Sequence, residues 1–320
     1  MSGAHVVRAG EIRLAVAAGY MRMEGNYMGS SRVSPETIVT TVPSNVTMGT
    51  TREMYRIVPS WMSIESVAIH AMYGVTDDVN VTLMAPYLRK AMSMTTFAGN
   101  SGTTVLGQSN SSTQGAGDAT AGAIWRFHQN AGSYALLNLG VSLPTGSTTE
   151  SMTMLSPMNK LMTGRASYGM QLGTGTVDLL PGLTYVSNDG GWSWGAAYRG
   201  RFATGTNSEG YHYGDKHQLD VWKGYTMGQG VTVTGRIAAS AQGSIRGADP
   251  QISGLMQGSN PNFYGGRKID VVAGLALSGA ALGVKGANLA VEVGDTVYQY
   301  LNGPQLGSSW QAIAVLGVTF

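Results

Sequence analysis

Apolar residues recur at every second position over most of this chain. In residues 309–320, Trp310, Ala312, Ala314, Leu316, Val318 and Phe320 share one parity; Gln311, Ile313, Val315, Gly317 and Thr319 share the other. Side chains alternate faces along a strand, so the first set makes an apolar face with an aromatic at each end. The second face is smaller and partly polar. The same period runs through residues 12–23, where Ile12, Leu14, Val16, Ala18 and Tyr20 oppose Arg13, Ala15, Ala17, Gly19, Met21 and Met23. It returns at 66–74, with Val67, Ile69, Ala71 and Tyr73 against Ala68, His70 and Met72, and at 79–87, with Val79, Val81, Leu83, Ala85 and Tyr87 on one face. Further strands are predicted over 118–127, 133–143, 174–187, 191–204, 216–226, 231–244, 267–278 and 288–297.

The connections alternate long and short. Tight turns are predicted at 76–78, 128–132, 188–190 and 227–230. Long polar loops are predicted near 25–64, 90–117, 144–173, 205–215, 245–266 and 298–308. An apolar band bracketed by aromatics, with short turns at one end and long loops at the other, is what a bacterial outer-membrane barrel requires. The expectation is an all-β fold, a transmembrane antiparallel up-and-down β-barrel of about 12 strands over 11–320, with a periplasmic segment at 1–10. Pro86 and Pro181 fall inside proposed strands and each removes a ladder donor, so each should mark a bulge or a strand end. A soluble sandwich does not need aromatics at both ends of so many apolar faces. A β-solenoid needs a fixed repeat, and none is evident.

Composition agrees. Only 12% of residues are charged, with 46 Gly, 15 Tyr, 18 Met and no Cys. That charge share is about half the usual value for a soluble domain. Mean hydropathy is −0.01, and no apolar run approaches the roughly 20 residues of a membrane helix. A net charge of +2 argues against nucleic acid as a partner. The absence of cysteine excludes disulfides and thiolate metal sites and fits an oxidising envelope. No signal peptide is visible, so the sequence reads as a processed one.

The inward parity collects charge. Asp178, Arg199 with Arg201, Asp220, Arg236, Asp270 and Glu292 fall on successive strands, and Arg13, His70 and Arg126 face in from the other half. Acid and base alternate between neighbours, which predicts a lumen girdle of ion pairs that stiffens the barrel, selects the solute, or does both. Met21, Met23, Met72 and Met84 take inward or loop-proximal positions. Thioether sulfur favours Cu(I), and it also packs adaptably against irregular loops. No resident cofactor is otherwise indicated. The motifs His-Glu-x-x-His, Gly-x-Ser-x-Gly and Gly-Lys-Ser/Thr are absent, so the chain does not read as an enzyme.

Six segments carry a family resemblance: residues 19–26 (GYMRMEGN), 73–78 (YGVTDD), 83–87 (LMAPY), 178–185 (DLLPGLTY), 247–250 (GADP) and 301–306 (LNGPQL). The chain resembles the bacterial outer-membrane transporter proteins grouped with the meta-pathway phenol-degradation family, in a Met-rich branch associated with copper handling. The terminal Phe320 also resembles the aromatic signal for barrel insertion. The resemblance implies an outer-membrane location, lipid and a small solute as partners, and passive passage of small aromatic or hydrophobic compounds or of soft metal ions. The alternative is a structural or partner-binding barrel whose lumen is sealed by its own loops and ion pairs. Neither reading sets an oligomeric state.

Overall fold

Period-two alternation leaves every strand with a face it cannot bury alone, and the chain resolves this by closing one sheet on itself. The computed structural model describes residues 6–48, 50–228 and 230–320. Residues 1–5 of the expected N-terminal segment and Gln229 of the expected 227–230 turn lie outside them. Besides short strands in the loops, the long strands are β1 (Ile12–Gly29), β2 (Ile57–Gly74), β3 (Val79–Phe97), β4 (Val105–Ala116), β5 (Ala119–Gln129), β6 (Ser133–Leu143), β7 (Asp178–Asp189), β8 (Trp192–Ala203), β9 (Lys216–Met227), β10 (Val231–Gln242), β11 (Gly266–Ser278) and β12 (Ala287–Thr319).

All but β4 pair in sequence order around a closed antiparallel ring, β12 returning to β1. The 33-residue β12 serves twice. Its first part runs antiparallel to β11, from Asn288 opposite Ser278 to Leu301 opposite Gly266. Its second part runs antiparallel to β1, from Leu301 opposite Gly29 to Thr319 opposite Arg13. The strand therefore reverses near its middle, and the Thr319 N–H donates to the Gly286 carbonyl at 3.0 Å. Eleven strands thus supply twelve lengths of wall. The chain thus turns back within the expected 298–308 connection, whose residues are extended and counted within β12. Phe320 and Ile12 exchange backbone hydrogen bonds of 2.9 and 3.2 Å, closing the seam.

The alternation is lipid side against lumen. Leu14, Val16, Val67, Leu316 and their parity mates are exposed, with Ile69 and Leu83 at 62%, whereas Ala15, Ala17 and Ala68 on the other parity are buried. From Ile12 to Tyr20 the outward face runs about 27 Å along the strand, which a tilt of about 40° reduces to about 21 Å of height. Aromatics bracket that band. Tyr20 packs on Trp310 with centroids 4.8 Å apart at the loop end, and Trp192 packs on Tyr225 at 4.7 Å at the turn end. Among the described residues no helix is long and apolar enough to cross a membrane; the wall crosses with strands.

Both prolines sit where the ladder is interrupted. β3 pairs with β5 up to Met84 and with β4 from Tyr87 onward, so Pro86 occupies the change of partner. On the β8 side of β7 the register jumps from Leu179 to Gly182, leaving Pro181 in the gap. The loop end departs from expectation in three places. β1 continues to Gly29, and β2 begins at Ile57. The predicted 90–117 loop contains the end of β3 and all of β4, a strand of Gln, Ser, Asn and Thr that rises above the apolar band. The segment between β6 and β7 forms its own hairpin, Ser151–Leu155 with Leu161–Arg165.

Two apolar clusters roof the barrel. Met62, Met92, Met94, Met152, Met170 and Met256 pack with Ile57 and Ala166. Ile38 and Val39 of helix α1 (Pro35–Thr41) pack with Tyr55, Val58 and Phe97. Ser34 caps α1 by accepting from the Thr37 N–H. Arg56 is fully buried beside this second cluster. Its guanidinium donates to the Ala98 and Gly102 carbonyls at 2.7 and 2.9 Å, which offsets part of the cost of burying the charge.

Candidate functional site in the barrel lumen

The lumen girdle forms because inward residues on adjacent strands lie at matching heights. Ala197 is opposite Asp220, and Trp222 is opposite Arg236, so each long arginine reaches a carboxylate a step away. Arg199 pairs with Asp220, and Arg236 bridges Asp220 at 2.8 Å and Glu292 at 2.7 Å. Arg201 pairs with Asp178 and, at 3.2 Å, with Asp118. Asp118 lies in the short link before β5, and its carboxylate also accepts from the Gly146 and Thr174 N–H groups. Its role is set by tertiary contact, and strand parity gives no sign of it.

The remaining expected members stand elsewhere. Asp270 takes a hydrogen bond of 2.6 Å from Thr296 and has no arginine partner among the described residues, because Arg236 reaches past β11 to Glu292. Arg126 lies at the turn end, paired at 2.8 Å with Asp78, because a register shift after it places the end of β5 at the rim. Arg13 and His70 line the turn-end half of the lumen. The girdle is therefore an arc over β7–β12 rather than a ring. Lys90, Lys216 and Lys268 also line the lumen. Lys90 falls in the predicted 90–117 loop, whereas Lys216 and Lys268 fall at the starts of predicted strands without being singled out.

Of the four candidate methionines, Met21 lines one cavity, Met23 and Met84 line a second, and Met84 also lines a third with Met72, where it lies opposite His70 in the β2–β3 register. Among the described residues no group of three or more His, Cys, Asp or Glu side chains is placed to hold a metal.

Loops descend into the loop end. Residues 166–174 enter beside β3, where the Lys90 ammonium donates to the Gly169 carbonyl at 3.0 Å and to the Gln171 carbonyl. Thr113 of β4 donates to the Met170 carbonyl at 2.7 Å. Residues 256–265 lie alongside. The Tyr264 hydroxyl accepts from the Gly169 N–H at 3.0 Å and donates to the Gly258 carbonyl at 2.9 Å, and Gln257 donates to Asn26 of β1. Tyr168, Tyr211 and Tyr264 stack edge-on over this plug. Burial pushes the phenols of Tyr168, Tyr211, Tyr213 and Tyr264 above the ordinary tyrosine range.

Below the plug the lumen is hollow. A cavity of about 640 Å³ lies under the loops and another of about 630 Å³ opens toward the turns; both are walled by Met84, Thr120 and Leu180. A third, of about 420 Å³, adjoins the first at Lys216 and Lys268. The walls are mixed: Ile64, Leu88 and Leu306 beside Arg201 and Lys216 in the first, and Met72, Ile124 and Val315 beside Arg13 in the second.

A closed antiparallel barrel with a lipid-facing apolar band, two aromatic girdles and a charged lumen is a transmembrane β-barrel of the bacterial outer membrane. No family model matches the chain, and no curated protein does. Among solved structures it is similar to an outer-membrane channel from Pseudomonas putida F1, with a TM-score of 0.61 and 12% identity over 100% of this chain and 99% of that one. It is similar to the β domain of the Bordetella autotransporter BrkA, with a TM-score of 0.51 and 10% identity over 97% and 100%. The Ralstonia pickettii toluene transporter TbuX matches at a TM-score of 0.48 and 11% identity over 98% and 90%. At such identities the likeness is one of fold.

Proposed function

We propose that the protein is an outer-membrane channel through which small solutes with apolar bodies pass down their gradient. The observation that carries this reading is the pair of adjoining cavities, about 640 and 630 Å³, which share Met84, Thr120 and Leu180 and lead from beneath the plug to the turn end. A solute that slips past the loops meets apolar wall interrupted by fixed charge, the lining expected of a site that holds small molecules briefly. The fold it shares with the Pseudomonas putida channel agrees with this. The test is uptake by liposomes containing the folded protein, comparing a small aromatic solute with a hexose. Faster entry of the aromatic solute than in protein-free liposomes, with no gain for the hexose, supports the channel. Equal rates with and without protein overturn it.

The plug favours a second reading. Lys90, Thr113, Tyr264 and Gln257 hold the inserted loops at several points, and a permanently sealed barrel would serve as a structural or partner-binding element. Absence of uptake, together with absence of conductance in a planar bilayer, selects that reading.

A further inference from the structure

The two halves of the lumen differ in how their charges are matched. In the arc over β7–β12, arginines partner Asp118, Asp178, Asp220 and Glu292. No Asp or Glu is among the residues that line the turn-side cavity. Arg13 makes no ion pair and no hydrogen bond among the described residues, and His70 stands on the neighbouring strand, where Ala15 is its partner. The guanidinium lies across Gly317: a Cβ added there would sit 3.0 Å from Arg13 Nη2 and 2.8 Å from Asn288 Oδ1. Glycine at 317 thus leaves room for an extended arginine and for the Asn288 amide beside it.

Arg199, already paired with Asp220, and Asn138 also line that cavity, and most of the rest is apolar or small, with Ala17, Met72, Ile124 and Val315 in its wall. An arginine fork beside an apolar wall suits a ligand with one planar anion and one greasy body, because guanidinium binds carboxylate through two parallel hydrogen bonds. A volume of about 630 Å³ falls in the usual range for small-molecule sites, about 300–1,000 Å³. On the loop side, Lys90, Lys216 and Lys268 have no acid within ion-pair distance among the described residues. Asp118 and Asp270 attract these ammoniums from farther off, but basic side chains outnumber acidic ones along the three cavities, and that excess draws anions along the same path.

We infer that the turn-side cavity is a binding station for small monocarboxylates with an apolar body, with Arg13 as the anion-holding residue and Asn288 and His70 beside it. The inference rests on the channel reading for its role in transport, but the station itself is testable without flux. The probes are benzoate and its neutral isostere benzamide. Equilibrium binding to the detergent-folded protein at pH 7 should favour benzoate. Arg13→Gln should weaken benzoate binding about tenfold, the loss expected for a charge-assisted pair, and leave benzamide unchanged. Arg13→Lys, which keeps the charge and loses the fork, should fall between. Heat-modifiable migration on gels confirms that each variant folds. Liposome uptake of both probes is measured in parallel. Binding that is equal for the two probes, or equally weakened by Arg13→Gln, overturns the station. Arginine-dependent benzoate binding without uptake of either probe upholds the station and overturns the channel.

Discussion

Arg236 and Glu292 pair at 2.7 Å although β11 stands between their strands. The reach is possible because the inward position of β11 beside Glu292 is Gly274; a Cβ there would meet Thr234 Oγ1 at 2.4 Å and Glu292 Cγ at 3.3 Å. Asp220 keeps Arg199 and Gln218 as partners when Arg236 is removed, whereas Glu292 loses its ion-pair partner. Arg236→Ala should therefore destabilise the barrel by about 1–3 kcal/mol in a urea refolding titration, below the roughly 3–5 kcal/mol of a fully buried pair because the lumen admits water. Glu292→Gln should cost less. The reversal potential of any conductance should move toward cation selectivity in Arg236→Ala.

Leu316 and Gln311 lie five residues apart on the second part of β12 and face opposite ways. Leu316 is exposed on the lipid side opposite Val16, and Gln311 lines the third cavity opposite Met21. Leu316→Arg should cost about 2–4 kcal/mol in lipid, and Gln311→Arg less than about 1 kcal/mol. The same refolding titration measures both. Equal costs would contradict the assignment of the two faces.

Met94 is fully buried in the methionine cluster at the loop end. Met94→Ala should destabilise by about 2–5 kcal/mol, because the surrounding loops cannot collapse fully into the space. Met94→Leu should cost less than about 1.5 kcal/mol, since volume is kept. Thermal unfolding of the two variants separates packing from any chemistry of the sulfur.

The membrane-crossing part of the wall was legible because lipid on one side and lumen on the other impose a strict period of two, as Leu14 against Arg13 and Leu316 against Gln311 show. The parity also placed Asp178, Arg199, Arg201, Asp220, Arg236 and Glu292 in one lumen, though it could not say which would pair. Pairing depends on bulges and gaps such as Gly274, and so Asp270 pairs with Thr296 instead. Above the membrane neither face meets lipid, and the period disappears. β4 therefore reads as a polar loop, the extended reversal of β12 within 298–308 reads as a loop, and the contacts of Asp118, Lys90 and Tyr264 with distant loops leave no local pattern.

The plug offers a pH-dependent test. The Tyr264 hydroxyl bonds Gly169 and Gly258 at once, and burial, with Tyr168 and Tyr211 nearby, raises its phenol above the usual tyrosine value of about 10. In opened loops the phenol loses its proton near that ordinary value, while in the closed plug it keeps it. The closed state is thus fully stabilised below pH about 10 and loses stability as pH rises toward the folded value. Protease cleavage within 243–265, or conductance, should increase above pH about 10 and stay flat from 7 to 9. Tyr264→Phe leaves the Gly169 N–H and the Gly258 carbonyl without this partner, at about 1–3 kcal/mol, so cleavage at neutral pH should rise. Its alkaline increase should be shallower, though not absent, because Tyr168, Tyr211 and Tyr213 are raised as well. A wild-type profile flat to pH 11 would show that phenol burial does not hold the plug. A Tyr264→Phe profile that matches wild type throughout would place the latch on Lys90 and Thr113 instead.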